Sequence, residues 1–127
     1  MTRTLRPFAL ALAAAFVAPL ALAHHSFAAF DLNRTVTLEG ELTEVKFTNP
    51  HSWFELKVAD GKGGEQRWAV EGLSPQQLVA KGLKRTAMKV GDKVSITVNP
   101  LRDGTAGGSL VSVKLADGTV ITGGPGQ

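Results

Sequence analysis

Residues 35–48, with the sequence TVTLEGELTEVKFT, have the length of a long strand but change their hydrophobic pattern part-way. The apolar residues occupy even positions as far as Leu42 and odd positions from Val45 onwards, which is the period-two pattern of a half-buried strand interrupted once. A bulge or bend between residues 40 and 44 would turn both sets inward, and Gly40 lies at an inward position there. A long first strand that bends at a glycine is typical of a small closed barrel.

Shorter patterns predict the remaining elements. Apolar alternation indicates strands over residues 52–59 and 65–71, around residues 94–98 and 111–115, and a short last strand near residues 120–121. One short helix is predicted to begin at Ser74, Pro75 and Gln77, which together form a capping-box sequence. This helix is predicted to end near Gly82. The order of elements predicts a mostly β fold, a small five-stranded OB-like barrel with one short helix between strands three and four.

The first residues indicate export. Arg3 and Arg6 precede an apolar, alanine-rich run over residues 7–22, and Ala21-Leu22-Ala23 fits a signal-peptidase site. We therefore expect residues 1–23 to be a signal peptide that is cleaved after Ala23, leaving a periplasmic bacterial protein without a stable membrane anchor. A retained N-terminal anchor is the alternative, although the run is short for a spanning helix. The predicted domain comprises residues 24–122, and residues 123–127 form a disordered glycine-rich tail.

Composition narrows the classes of function. Removing 23 of the 127 residues leaves 104, enough for one small domain. Two of the 14 Lys and Arg residues lie in the leader, so 12 basic residues face 11 acidic ones in the mature chain. Such a nearly neutral domain gives no electrostatic reason to expect nucleic acid as a partner. The chain has no cysteine, which excludes disulfides, thiolate metal sites and a cysteine nucleophile.

The three histidines predict a metal site. Cleavage after Ala23 makes His24 the first residue, and its free amine and imidazole can chelate one metal ion. His51, in the loop before the second strand, can supply a second imidazole. Two imidazoles and an amine in a roughly planar arrangement suit copper(II) better than zinc, which would need a fourth ligand such as His25 or Asp31.

The N-terminal arm must reach His51 for this site to form. Phe27 and Phe30 need apolar surface, and Trp53 offers some on the outer face of the second strand, beside His51. We predict that the two phenylalanines tether the arm there, so that Trp53, Phe27 and Phe30 form a ligand face next to the metal.

Other interpretations of the same residues stay open. The histidines can be a solvated terminus and a loop hydrogen-bonding residue with no metal. A non-enzymatic interaction module would use the barrel face around Trp53 to bind a periplasmic protein, a glycan or a small ligand. A copper oxidase or oxygenase is the third hypothesis, but no spacing of acids, bases or nucleophiles indicates an enzyme.

Two motifs resemble those of a known family. His24-His25-Ser26-Phe27 and Asn49-Pro50-His51 are similar to the mature start and the post-strand motif of small exported bacterial proteins classed as a domain of unknown function. Phe30-Asp31, Gly40 and Gly91-Asp92 also fit, so the resemblance covers essentially the whole mature chain. It implies export and a small β-barrel, and it supplies no activity.

Overall fold

The computed structural model describes residues 27–124, in which one sheet closes on itself and a short helix connects two of its strands. The elements are β1 (Val36–Lys46), β2 (Trp53–Ala59), β3 (Glu65–Glu71), α1 (Pro75–Ala80), β4 (Lys93–Pro100), β5 (Gly107–Lys114) and β6 (Val120–Thr122). The strand order is β3-β2-β1-β4-β5-β6, and a parallel pairing of β3 with β5 closes the first five strands into a barrel. The predicted fold class is confirmed, with the helix between β3 and β4.

The bend in β1 lies where the sequence pattern predicts it. The register between β1 and β2 shifts between Leu42 and Glu44, so one extra residue, Thr43, restores the inward direction of the following apolar side chains. Leu42 is fully buried, and Val45 packs against the core. Gly40 pairs with β2 and β4 at once, and a Cβ there would lie 2.5 Å from the Lys57 carbonyl oxygen. The close approach of two backbones therefore explains the glycine.

The end of the barrel differs from the sequence prediction in β5. The alternation of Val111, Val113 and Leu115 predicts that they share one face. A register shift pairs Leu110 with Val98 and Ser112 with Thr97, so Val111 has no partner on β4. Leu110 is 1% exposed and takes the core position, whereas Val111 is only half-buried. Residues 99–108 are rich in Gly, Pro and Asp, a composition typical of a loop. The loop is shorter than this stretch, because β4 continues to Pro100 and β5 begins at Gly107.

The helix begins as its sequence predicts. The Ser74 hydroxyl accepts the Gln77 backbone N–H, and the Gln77 side chain accepts the Ser74 backbone N–H, which completes the capping box. The C-cap residue is Lys81, and Gly82 follows it with a φ of 100°. Pro75 and Leu78 are the buried residues of this short helix, and Leu78 packs in the hydrophobic core.

The packed chain continues two residues beyond the boundary placed at residue 122. The Gly123 backbone N–H donates to the Val111 carbonyl oxygen at 2.9 Å, and Gly123 and Gly124 are both buried. A Cβ on Gly123 would meet the Leu110 side chain at 2.9 Å, so the absence of a side chain permits this packing. The rest of the predicted tail, residues 125–127, and the predicted signal peptide lie outside the described residues.

Candidate functional site

A histidine–carboxylate pair lies at the end of the barrel where β2 begins and β3 ends. The Nδ1 atom of His51 contacts the Oε1 atom of Glu71. The His51 side chain is 36% exposed and the Glu71 side chain 14%. The carboxylate is thus largely shielded by protein, while part of the imidazole ring reaches solvent.

Hydrogen bonds to backbone groups next to His51 and Glu71 hold the two residues in position. The Thr48 hydroxyl donates to the His51 carbonyl oxygen at 2.9 Å. The Ser52 N–H donates to the Leu73 carbonyl oxygen at 3.0 Å, and the Gly72 N–H donates to the Ser52 carbonyl oxygen at 2.8 Å. The two bonds made by Ser52 extend the pairing of β2 and β3 beyond Trp53 and Glu71, and so hold His51 beside Glu71.

The pair forms one side of a small pocket whose opposite side comes from the N-terminal arm. The arm is defined here as residues 27–34, which precede β1. The pocket contains aromatic rings from the arm, the histidine–carboxylate pair, and small or apolar residues from β5 and from the segments that follow β3 and β6. Its lining residues are Phe27, Phe30, His51, Glu71, Gly72, Leu73, Ser109, Leu110 and Gly123. The arm and His51 are therefore at the same end of the barrel.

The arm is attached to the connection between β4 and β5. Phe30 forms an isolated β-bridge with Leu101 and is 6% exposed. The Asp31 N–H donates to the Pro100 carbonyl oxygen at 2.8 Å, and the Arg102 N–H donates to the Ala29 carbonyl oxygen at 2.9 Å. Burial of one ring and these hydrogen bonds give the arm a defined path toward the pocket.

The sequence did not indicate this attachment to the connection between β4 and β5. Trp53 was expected to support the arm, but it does not line the pocket and is 41% exposed on the outer face of β2. Backbone groups of the arm have partners at the end of β4, and Phe30 is buried there. Phe27, which is 42% exposed, covers the pocket from the arm side.

The other predicted ligands are placed as follows. The Asp31 carboxylate accepts the Asn33 N–H at 3.2 Å and lies 4.0 Å from the Arg102 guanidinium, and Asp31 does not line the pocket. His24 and His25 lie outside the described residues. Within residues 27–124, no three His, Asp or Glu side chains gather as a metal site would require.

Glu71 is the site residue that sequence reasoning missed. No local pattern separates Glu71 from strand glutamates such as Glu39, Glu41, Glu44 and Glu55. The hairpin itself indicates it, because residues 60–64 have the sequence DGKGG of a turn, and this turn sets the pairing of Ala59 with Glu65. Counting from that pair back along β2 and forward along β3 places Trp53 opposite Glu71. His51 lies two residues before Trp53.

A wider groove lies among β1, β4, the end of β5 and the start of β3. Its charged lining is mixed, with the carboxylates of Glu39, Glu41 and Glu65 and the amines of Lys93 and Lys114. It contains no histidine and no concentration of one charge. This groove offers nothing that would select a particular ion, so the histidine–carboxylate pair is the stronger candidate site.

Comparison with known proteins places the chain in a family. The model of a family of unknown function, DUF6152, matches residues 11–111. The chain belongs to this family, which confirms the resemblance seen in its histidine motifs. No curated protein and no solved structure is detectably similar to it. Among the described residues, none of the helices is both long enough and apolar enough to cross a membrane.

Proposed function

We propose that the mature protein binds a transition-metal ion, copper in preference to zinc, through His24 and His51. The observation that carries this proposal is that Phe27 of the arm and His51 line the same pocket. His24 precedes Phe27 by three residues, and a stretch of three residues spans at most about 10 Å. We infer that the N-terminus created by cleavage after Ala23 lies close enough to reach the His51 ring.

The donor atoms favour copper. The amine and imidazole of His24 and the imidazole of His51 are nitrogen donors, and nitrogen-rich sites bind Cu²⁺ more tightly than other first-row divalent ions. The chain offers no cysteine thiolate. His25 is the next donor in the chain. Asp31 ranks last, because its carboxylate already accepts the Asn33 N–H and lies beside Arg102.

The role that fits these residues is metal binding or delivery in the periplasm. A bound copper ion would supply a Lewis-acidic, redox-active centre, and the chain's own residues would hold it between the arm and the barrel. The shielded pocket is small and ringed by Phe27 and Phe30, so it favours holding an ion over admitting a large substrate. For this reason we favour a binding protein over a copper oxidase.

Calorimetric titration of the mature protein with Cu(II) tests this function. The protein is purified from the periplasm, and mass spectrometry confirms that it begins at His24. His51→Gln is the informative variant, because an amide can still donate to Glu71 but does not replace an imidazole as a ligand. Gln66→Ala, an exposed position in the same hairpin, is the matched control. A form with three extra alanines before His24 removes the free amine of that residue and leaves no histidine among the first three positions, where a new copper chelate could form.

We expect one copper per wild-type molecule and an unchanged affinity in Gln66→Ala. Loss of an outer-shell partner typically lowers metal affinity about 10–100-fold, and loss of a ligand should lower it further. Copper affinity should therefore fall more than about 100-fold both in His51→Gln and in the alanine-extended form. Absence of copper binding in the wild type, or an affinity that ignores His51, would overturn the proposal. Zinc titration in parallel ranks the two metals.

The second candidate function is a non-enzymatic interaction module, and the exposed Trp53 is the observation in its favour. Trp53 stands on the outer face of β2, between Lys46 on β1 and Glu71 on β3. OB-type barrels use this region of strands two and three to bind their ligands. A protein that fails to bind copper, but whose tryptophan fluorescence responds to periplasmic oligosaccharides in the wild type and equally in Trp68→Phe, would support this alternative.

A further inference from the structure

We propose that Glu71 is the positioning residue of the metal site, acting through His51. Its carboxylate accepts the Nδ1–H of His51, selects that tautomer and directs the Nε2 lone pair toward the metal. This inference rests on the proposed function and adds a residue that no sequence motif identifies. The step involves no transfer of electrons or groups, since Glu71 only determines which ring nitrogen carries the proton.

The backbone of Glu71 is rigid enough for this role. It is the last residue of β3 and pairs on one side with Trp53 of β2 and on the other with Ser109 of β5. This is the stretch in which β3 and β5 close the barrel. A carboxylate fixed between two strands can impose a ring orientation on a neighbour, because its own position is determined by the sheet.

Glu71 also differs from the other paired carboxylates on the barrel. Glu41, Glu44 and Glu55 each pair with a lysine or an arginine, and their side chains are 37–44% exposed. Glu71 is 14% exposed, and its ion-pair partner within residues 27–124 is a histidine. A lysine or arginine would serve a purely structural pair equally well, whereas a histidine leaves a second ring nitrogen for another task.

The chemistry of imidazole gives the pairing a purpose. A neutral imidazole has one N–H donor and one lone pair, and the hydrogen bond made by one nitrogen determines which nitrogen binds a metal. A carboxylate on the N–H side also makes the opposite nitrogen a stronger donor, and loss of such a partner commonly lowers metal affinity 10–100-fold. The contact of Nδ1 with Glu71 therefore leaves Nε2 as the metal-binding nitrogen.

Two measurements on the mature protein test this role. Nitrogen-15 NMR of the metal-free protein reports which nitrogen of His51 carries the proton, and Cu(II) titration reports the affinity. Glu71→Gln keeps the shape of the side chain but can either accept from or donate to Nδ1, so it no longer selects one tautomer. Glu55→Gln, a carboxylate on the neighbouring strand that pairs with Arg67, is the control.

We expect the Nδ1–H form of His51 in the wild type and in Glu55→Gln, and a mixture of tautomers in Glu71→Gln. Copper affinity should fall about 10–100-fold in Glu71→Gln alone. The EPR spectrum at saturating copper should keep the wild-type donor set, since Glu71 is not itself a ligand. A changed donor set in Glu71→Gln would overturn the positioning role by making Glu71 a ligand.

The outcomes separate this inference from the proposed function. Wild-type binding of copper combined with an unchanged tautomer and affinity in Glu71→Gln overturns the role of Glu71 and leaves the metal site standing. A wild-type protein that binds no copper overturns the metal function, and the role of Glu71 with it. Glu71→Asp, which retracts the carboxylate by one methylene, should recover part of the tautomer preference but not all of it.

Discussion

Trp53 of β2 and Glu71 of β3 are directly paired in the barrel, and this register brings the Glu71 carboxylate to His51. The same end of the barrel receives the arm, because Phe30 bridges to Leu101 just after β4. Two independent attachments thus converge on one pocket. A site built this way depends on the barrel closing in the correct register, which makes the determinants of that register the first features to test.

Gly40→Ala should destabilise the barrel. The new Cβ would lie 2.5 Å from the Lys57 carbonyl oxygen and 3.1 Å from the Val58 side chain, so two backbones must separate where β1 pairs with both neighbours. Overpacking of this kind costs roughly 1–3 kcal/mol. Thermal unfolding measures the effect, and Gly124→Ala, whose Cβ would meet its nearest atom at 3.4 Å, is the control and should change stability little. Equal stability of the two variants would contradict the close approach.

Most of the barrel follows from sequence pattern, because burial on one face leaves a readable period. The bend in β1 was predictable since Leu42 and Val45 have opposite parity and must both turn inward. The shift in β5 was not, because Val111, Val113 and Leu115 alternate without interruption. Only pairing with β4 places Leu110 in the core and leaves Val111 half-buried.

The candidate site was predictable only in part, for a similar reason. A histidine motif identifies His51, since the residue type itself carries the chemistry. Its partner Glu71 is one of several strand carboxylates and is distinguished by register and burial, neither of which is local in sequence. The hydrogen bonds of the arm to Pro100 and Arg102 join residues far apart in sequence, so no local pattern indicates them.

Ser74→Ala should weaken the start of α1. The Ser74 hydroxyl accepts the Gln77 N–H, and loss of an N-cap side chain typically costs about 1 kcal/mol. Chemical denaturation with a two-state fit measures the free energy of unfolding. Gln77→Ala removes the reciprocal bond to the Ser74 N–H, so a double-mutant cycle of the two changes should be non-additive. Additive effects would show that the two halves of the capping box act separately.

Asp103 should titrate below its ordinary range. The Thr105 hydroxyl, and after it the Thr105 backbone N–H, hydrogen-bond the carboxylate and lower the pKa of Asp103. A lowered native pKa means that the stabilising contribution is present above the unfolded-state pKa and is lost as the pH falls through the native value. Thr105→Val removes the largest cause, so NMR titration should show the pKa of Asp103 rising toward its ordinary value.

Asp117 provides the matched comparison for this titration. Its pKa is also lowered, but the backbone N–H of Thr119 is the main cause and the Thr119 side chain is second. Thr119→Val should therefore raise the pKa of Asp117 by less than Thr105→Val raises that of Asp103. The reverse order, or equal shifts, would contradict the assignment of the Thr105 hydroxyl as the dominant donor.

Phe30 links the stability of the barrel to the candidate site, so its variants should affect both. Phe30 is 6% exposed, and Phe30→Ala should cost about 3–5 kcal/mol, whereas Phe27→Ala, at a position 42% exposed, should cost about 1 kcal/mol or less. Phe30→Leu keeps most of the buried volume and is the variant for copper titration. If anchoring of the arm brings His24 to His51, Phe30→Leu should bind copper more weakly than the wild type while remaining folded. An unchanged copper affinity in a folded Phe30→Leu protein, together with the loss of affinity in His51→Gln, would mean that the arm reaches the metal without this anchor.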